Sequence, residues 1–398
     1  MSSQQLTSTA EATQPYGLLS VLGGPTGLGT QGLRLGGRAD PGPSPPSKTR
    51  GSKPILSPDG SITFTVHDLA TDSEFVVSMH CPLLSGRHPR SDALLEGHRR
   101  WAQSFDLFAD EDDYARFCAT RFDFLVSAQC HRLSLDAALV VSHLMTWFFV
   151  YDDAQEREHA RQPGGSKNTR RAVQRHLDVL DGDDPRDDDS PTLIAFADFL
   201  RRARELGGGG DDPWYRRMVH NLRLYAHGTL GEGILDPASG ANTALHWQVR
   251  QMTVAVQPGC DLAACAQSIR PACVAHDFFV ARMEQLTTNY NLWVNDLLGL
   301  NRDQRYGLRN TVLIMRNEFG LPLEQVTRMA AHHSDQELRA FMNFERELPR
   351  LLGDAWHPEA ASLAAYAEVL KNCMRGLVDW TAASDRYQAD EDLSLAGA

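Results

Sequence analysis

No stretch of about eighteen consecutive apolar residues occurs in this chain, so no segment is suited to span a bilayer. The N-terminus lacks a charged segment followed by an apolar one; no signal peptide is expected, and the protein reads as cytoplasmic. An excess of positive charge is also missing. The 39 Lys and Arg residues stand against 51 Asp and Glu, a net of −12. A nucleic acid or an anionic membrane surface would want a basic face, so neither is expected as a partner. If the substrate is itself an anion, metal ions or a few well-placed arginines must hold it. Paired cysteines are lacking too. The seven cysteines are odd in number and scattered, with no CxxC, and they read as reduced thiols. Cys265, Cys273 and His276 do not have the spacing of a zinc site, and they read as core residues.

Residues 1–60 hold much Gly, Pro, Ser and Thr, as in GGPTGLGTQG and PGPSPPSKTRGSKP. Such a stretch buries too little apolar surface to offset its ordering entropy, so it is expected to be a disordered, dispensable tail. Residues 61–398 are expected to form one domain. Two extended pieces, SITFTVHDL and SEFVVSMHCP, lead into it. From Ser91 onward apolar residues recur at three and four, which predicts helices almost throughout. The expected fold class is all-α, a single large helical bundle. Loops fall at RQPGGSKN, DGDDPRDDDSP and GGGGDDP. The second of these is the most acidic stretch, but two prolines and a glycine deny it a helical face. Its aspartates are expected to point into water.

Two polar clusters remain. In WFFVYDDAQE, Asp152, Asp153 and Glu156 share one face of a predicted helix, because residues three and four apart are neighbours. Phe148 and Phe149 lie one turn earlier, with Met145 and Leu144 behind them. That face is apolar along its length and anionic at one end. Clustered carboxylate oxygens suit Mg²⁺, a hard cation. A solvated helix end would look the same, so the first cluster says little alone. In NDLLGLNRD, Asn295, Gly299 and Asp303 form a second stripe about 12 Å long. Arg302 stands beside it, within reach of an anion.

These residues resemble a class I terpene synthase of the bacterial type. The family's aspartate-rich motif corresponds to Asp152, Asp153 and Glu156, and its second metal motif to NDLLGLNRD, with Gly307 and Asn310 following at the family's spacing. The upstream diphosphate-sensing arginine corresponds to Arg250, with Thr253 and Val254 at a helix break before Pro258 and Gly259. The C-terminal Arg-Tyr pair corresponds to Arg386 and Tyr387, with Trp380 six residues earlier. The entry segment HCPLLSGRHPRSDALLEGHRRWAQSFDLF is similar as well. The likeness covers about residues 75–390. Two positions depart from it. Gly299 replaces a Ser or Thr ligand, and Asp303 replaces a Glu.

The resemblance implies that a linear prenyl diphosphate, farnesyl diphosphate being the expected one, is ionised and its carbocation cyclised. Asp152, Asp153, Glu156, Asn295 and Asp303 would hold Mg²⁺, three ions once diphosphate is bound. Arg250, Arg302, Arg386 and Tyr387 would hold the diphosphate. Phe148, Phe149 and Trp380 are candidates to face the cation. At Gly299 a water would replace the missing hydroxyl, and Gly299→Ser is expected to be tolerated. A homodimer is compatible with this reading. Geranyl, methylated geranyl and geranylgeranyl diphosphates are alternative substrates. The rival readings are a chain-elongating prenyltransferase, which needs a second DDxxD, and a non-catalytic helical interaction protein.

Overall fold

The computed structural model describes residues 53–108, 110–161, 167–234, 242–269 and 277–387. It divides the chain into Met1–Pro41 and Gly42–Ala398, and the first of these lies outside the described residues.

The two extended pieces pair. Strands β1 (Ile55–Leu56), β2 (Ser61–Asp68) and β3 (Ser73–His80) form an antiparallel sheet in the order β1-β2-β3. In β2 every second residue is buried, so Ile62, Phe64 and Val66 face the core. The turn to β3 is closed by Asp68, whose Oδ1 accepts from the Ala70 amide at 3.0 Å. The sequence marks these pieces as extended but not as a pair. Strand β1 places Ile55 and Leu56, read as tail, in the ordered chain, while residues 1–52 lie outside the described ones.

Helices then follow almost without interruption: α1 (Ser91–Gln103), α2 (Glu111–Thr120), α3 (Phe122–Gln129), α4 (Leu135–Arg161), α5 (Lys167–Leu180), α6 (Pro191–Leu206) and α7 (Pro213–Ile234). After these come α8 (Thr243–Thr253), α9 (Val256–Ala266), α10 (Asp277–Leu298), α11 (Leu300–Tyr306), α12 (Thr311–Phe319), α13 (Leu323–Leu352) and α14 (Trp356–Ala383). Helix α11 also finishes the sheet. The exposed edge of β2 is met by Asn301, which donates to Thr65 O at 2.8 Å and accepts from His67 N at 3.0 Å. Gln304 adds a bond to His67 O at 3.0 Å. The edge groups are satisfied by side chains where no further strand is available.

Helix α4 starts on Ser134, whose Oγ accepts from the Ala137 amide at 3.3 Å. Val140 to Phe148 are buried without exception, so this helix is apolar on all sides and packs in the middle of the bundle. Helices α1, α3, α6 and α9 pack against it. The acidic loop stays largely in water, as expected, except that Asp189 takes both Nε and Nη2 of Arg175 at 3.0 and 2.9 Å. Among the described residues all cysteines are free; Cys273 and His276 lie outside them.

One half-buried carboxyl makes the bundle sensitive to pH. Glu337 on α13 accepts from Asn289 Nδ2 at 3.1 Å, and Asn289 in turn accepts from Gln251 of α8 at 2.8 Å. Burial, against the opposing pull of Asn289, pushes the Glu337 carboxyl up to about 7. The folded state therefore favours the protonated form. Its stabilising contribution is complete below the ordinary carboxyl range and is lost as pH rises through about 7. Glu337→Gln is expected to melt higher than the parent protein at pH 8 and alike at pH 4. Thermal melts by circular dichroism test this, and equal melting at both pH values would remove the role.

Candidate active site

A single apolar helix face ends in a charge cluster. Along α4 the residues Val141, Met145, Phe148, Phe149 and Asp152 line one cavity, with the carboxylate at one end. Opposite stand Asn291 and Asn295 of α10 and Val369, Cys373 and Leu377 of α14. Leu125 and Gln129 of α3 and Tyr225 of α7 add to the lining, and a further wall is the junction between α8 and α9. Helix α8 cannot continue through it, because Pro258 lacks an N–H and its ring would clash with the carbonyl of Val254. The chain turns at Ala255, held in the left-handed region at φ 58°, and α9 begins with Pro258 in its first turn. Gly259 lets α9 approach α4 closely: a Cβ there would lie 2.9 Å from Met145 Cε.

Arg250, Asp152 and Asn295 meet at the polar end of this cavity. Arg250 Nη2 donates to Asn295 Oδ1 and to Asp296 Oδ1, each at 2.9 Å. On its other side Nη1 lies 3.5 Å from Thr253 Oγ1 and 4.0 Å from Glu232 Oε1, and Thr253 itself donates to Glu232. Burial opposes its charge, but Asp296 and Glu232 outweigh burial and hold the guanidinium above its ordinary value. The hydroxyl of Tyr225 on α7 belongs to the same neighbourhood. Burial raises its pKa, and the nearby Asp152 raises it further.

The second stripe is assembled as expected, but its oxygens are already engaged. Asn295 Nδ2 donates to the Tyr387 hydroxyl at 3.2 Å. Asp303 Oδ2 accepts from Asn310 Nδ2 at 2.8 Å, and its Oδ1 lies 3.5 Å from Arg302 Nη1. Asn310 also bonds the Asp296 carbonyl at 2.7 Å and caps α12 through Val312 N at 2.9 Å. Gly307, at φ 65°, ends α11 in the left-handed conformation that favours glycine and turns the chain back toward Asn310. Burial pushes the Tyr387 phenol up to about 12.

Asp153, Arg302, Asp303, Trp380, Arg386 and Tyr387 are not part of the cavity lining. Asp153 is fully buried in a two-point pair with Arg386, Nη2 to Oδ1 at 2.6 Å and Nη1 to Oδ2 at 3.2 Å. The Arg386 guanidinium also lies over the Phe149 ring at 5.0 Å. Trp380 is a buried wedge: its Nε1 donates to Thr120 O at 2.7 Å, and its ring packs on Phe122, Phe149 and Tyr387. It is not a wall of the cavity, whereas Phe148 and Phe149 are. Arg302 is buried beside Asp303 and off the cavity wall. The backbone of Glu156 continues α4, but its side chain lies outside the described residues.

Gly299 is a further correction. A Cβ there would lie 2.8 Å from Asn295 O, 3.3 Å from Asp303 Oδ2 and 3.4 Å from Tyr387 Cε1. Asn295 O is backbone and cannot give way cheaply. Gly299→Ser is therefore expected to strain the α10–α11 joint, costing about 1–3 kcal/mol. Chemical denaturation of Gly299→Ala measures this without adding a hydroxyl, and an unchanged midpoint would show that the joint relaxes.

Carboxylate and amide oxygens are the ligands that Mg²⁺ takes, so the donor chemistry of Asp152, Asn295 and Asp303 fits a divalent metal. Among the described residues no three His, Cys, Asp or Glu side chains are drawn together as a ready-made site. Binding at the second stripe therefore has to exchange with Arg250 and Asn310, the donors now on those oxygens. Asp296, Glu232 and Tyr225 were not singled out in the sequence. Asp296 was within the quoted motif, but Glu232 and Tyr225 lie in α7, where no spacing signal marks them.

Residues 143–340 match a family model described as terpene synthase family 2, C-terminal metal binding. Pentalenene synthase of Streptomyces arenae is 30% identical over 342 residues, 81% of this chain and 95% of that protein. Germacrene A synthase of Nostoc punctiforme is 24% identical over 80% of this chain and 96% of its own length. Among solved structures, linalool/nerolidol synthase from Streptomyces clavuligerus superposes with a TM-score of 0.65 at 23% identity. The match spans 76% of this chain and 99% of that one.

Proposed function

The chain belongs to the terpene synthase family, and from that premise we propose that it is a Mg²⁺-dependent cyclase of farnesyl diphosphate. The enzyme class follows from the family: a lyase that releases diphosphate from a prenyl diphosphate. The substrate and the roles of the residues are our own reading. One observation carries it. A continuous wall along α4 runs from Val141 to Asp152, eleven residues or about 16 Å, and joins an apolar floor to an anionic mouth. That depth suits an extended farnesyl chain.

Bound Mg²⁺ would supply Lewis-acid pull on the leaving-group oxygens, held by Asp152 and Glu156 on α4 and by Asn295 and Asp303 opposite. Arg250, at the wall, would receive the diphosphate through charge-assisted hydrogen bonds. Arg302, Arg386 and Tyr387 lie behind it and would join as the mouth closes. Asp153 would act through Arg386, orienting that arginine. Phe148 and Phe149 would shape the chain, their ring faces each worth roughly 0.5–2 kcal/mol against a cation. Trp380 supports Phe149 from behind. Closure would exclude water from the apolar part of the cavity.

The deciding experiment incubates the protein with geranyl, farnesyl and geranylgeranyl diphosphates, with and without Mg²⁺. Metal-dependent diphosphate release, fastest with farnesyl diphosphate and accompanied by cyclic products, is the expected result. Longer diphosphates formed with added isopentenyl diphosphate would indicate chain elongation instead. No release from any substrate would end the reading.

A further inference from the structure

We propose that Asp261, on the side of α9 turned away from the cavity, is a positioning residue for cyclisation: it fixes where the α9 wall stands, and with it how the prenyl chain folds before ring closure. The inference rests on the cyclase reading above. Helix α9 places Val256, Gly259, Cys260 and Ala263 on the cavity, at positions i, i+3, i+4 and i+7. Asp261 lies about 150° round the helix from the middle of that face, at about 100° per residue. The N-terminus of α9 does little to hold the wall, because the helix starts after the turn at Ala255 with no side-chain cap. The far side supplies the hold instead. Arg217 of α7 donates to Asp261 Oδ1 from Nε at 2.9 Å and also from Nη2, and Asn221 Nδ2 donates to Oδ2 at 2.7 Å. One turn earlier, Gln257 donates to the Glu284 carbonyl of α10 at 3.0 Å and to Thr288 Oγ1 at 2.8 Å. Tyr366 of α14 closes the set, accepting from Arg217 Nη2 at 2.7 Å and donating to Glu284 Oε1 at 2.6 Å.

Stability does not account for this arrangement. Asp261 is fully buried, and one guanidinium faces two carboxylates, since Arg217 Nη2 also donates to Glu284. Burial pushes the Asp261 carboxyl up to about 6, against the pull of Arg217. A carboxyl whose pKa rises on folding favours its protonated form, so its ionised form does not stabilise the fold at neutral pH. A buried ion pair is commonly no more stabilising than apolar residues of the same size. What the pair does supply is direction. Both Asp261 oxygens are bound to α7 by directional bonds, whereas apolar contacts alone are non-directional. Cys260, the neighbour of Asp261 in the chain, lines the cavity, so a shift of Asp261 is a shift of the wall.

The test compares the full chain with three variants: Asp261→Leu combined with Arg217→Met, Asp261→Asn, and Asn221→Leu. Each is given farnesyl diphosphate and Mg²⁺, and product distribution, diphosphate release, thermal melting and the rate of Cys260 labelling by N-ethylmaleimide are measured. The double variant removes both charges together and is expected to melt close to the parent protein. Its ratio of main to minor products is expected to fall roughly tenfold, because small differences between competing barriers set that ratio. Cys260 is expected to be labelled faster, as the wall is no longer held. Asp261→Asn can keep both bonds once the Asn221 amide turns its oxygen inward, and it is expected to hold the parent ratio. A parent-like ratio in the folded double variant would overturn the proposal. So would a changed ratio with Cys260 labelled at the parental rate, since the wall would not have moved. If the double variant does not fold, Asn221→Leu decides, and an unchanged ratio there overturns the proposal. Absence of diphosphate release from the parent protein would instead overturn the cyclase reading, while Cys260 labelling still tests the placement of α9 without turnover.

Discussion

Arg250→Ala is expected to lose turnover and stability together. By our reading the guanidinium binds diphosphate, but it is also the partner of Asp296, whose carboxylate is sealed from solvent. Removing one member of a buried ion pair leaves an uncompensated charge and costs about 3–5 kcal/mol. Thr311 N, at 2.8 Å from Asp296 Oδ2, recovers only part of this. A loss of activity in the alanine variant would therefore mix two causes. Arg250→Lys separates them, since lysine keeps the charge near Asp296 but not the second nitrogen, Nη1, that reaches toward Thr253 and Glu232. We expect the lysine variant to melt close to the parent protein while kcat/KM falls roughly ten- to a hundredfold, the worth of a charge-assisted bond of about 1.5–3 kcal/mol. Melts by circular dichroism and a diphosphate-release assay measure the two effects separately. Parent-like kcat/KM in a folded Arg250→Lys protein would remove Arg250 from the reaction.

Asp152 and Asp153 are neighbours in the chain and are expected to fail in opposite ways. Asp152 lines the mouth of the cavity and is only half-buried, so Asp152→Asn should cost less stability than Asp153→Asn. The Asp152 change should raise the Mg²⁺ concentration needed for half-maximal activity, or abolish turnover, because a charged oxygen ligand is lost. Asp153→Asn instead strips the charge from the two-point partner of Arg386, which is itself buried. About 3–5 kcal/mol of stability should go with it. Because Arg386 also lies over Phe149, a wall of the cavity, its release should disturb the site as well. Mg²⁺ titrations and denaturant midpoints on the two variants distinguish the cases. If both variants keep full stability and both lose metal response alike, Asp153 is a ligand after all, and the pair with Arg386 yields on binding.

Much of this protein was legible in its sequence, for a reason that is local. Apolar residues at three and four mark helices because helical hydrogen bonds join residues four apart. Pro258 stops α8 through a clash four residues back, and Gly307 ends α11 through its own φ. The family resemblance belongs to this level also, since motif order and spacing are linear properties. The stripe Asn295–Gly299–Asp303 kept its register because the bonds Gly299 N to Asn295 O and Asp303 N to Gly299 O, both 2.9 Å, carry the helical pattern through the joint. What the tertiary structure alone decided is which charges meet. Asp153 finds Arg386 across 233 positions, and Arg250 finds Asp296 across 46. Glu232 reaches Thr253 from a helix with no motif, and Trp380 turns to Thr120 and away from the cavity. Adjacent acids look alike in a sequence, but on a helix they point about 100° apart, and packing decides which of them faces the cavity and which an arginine.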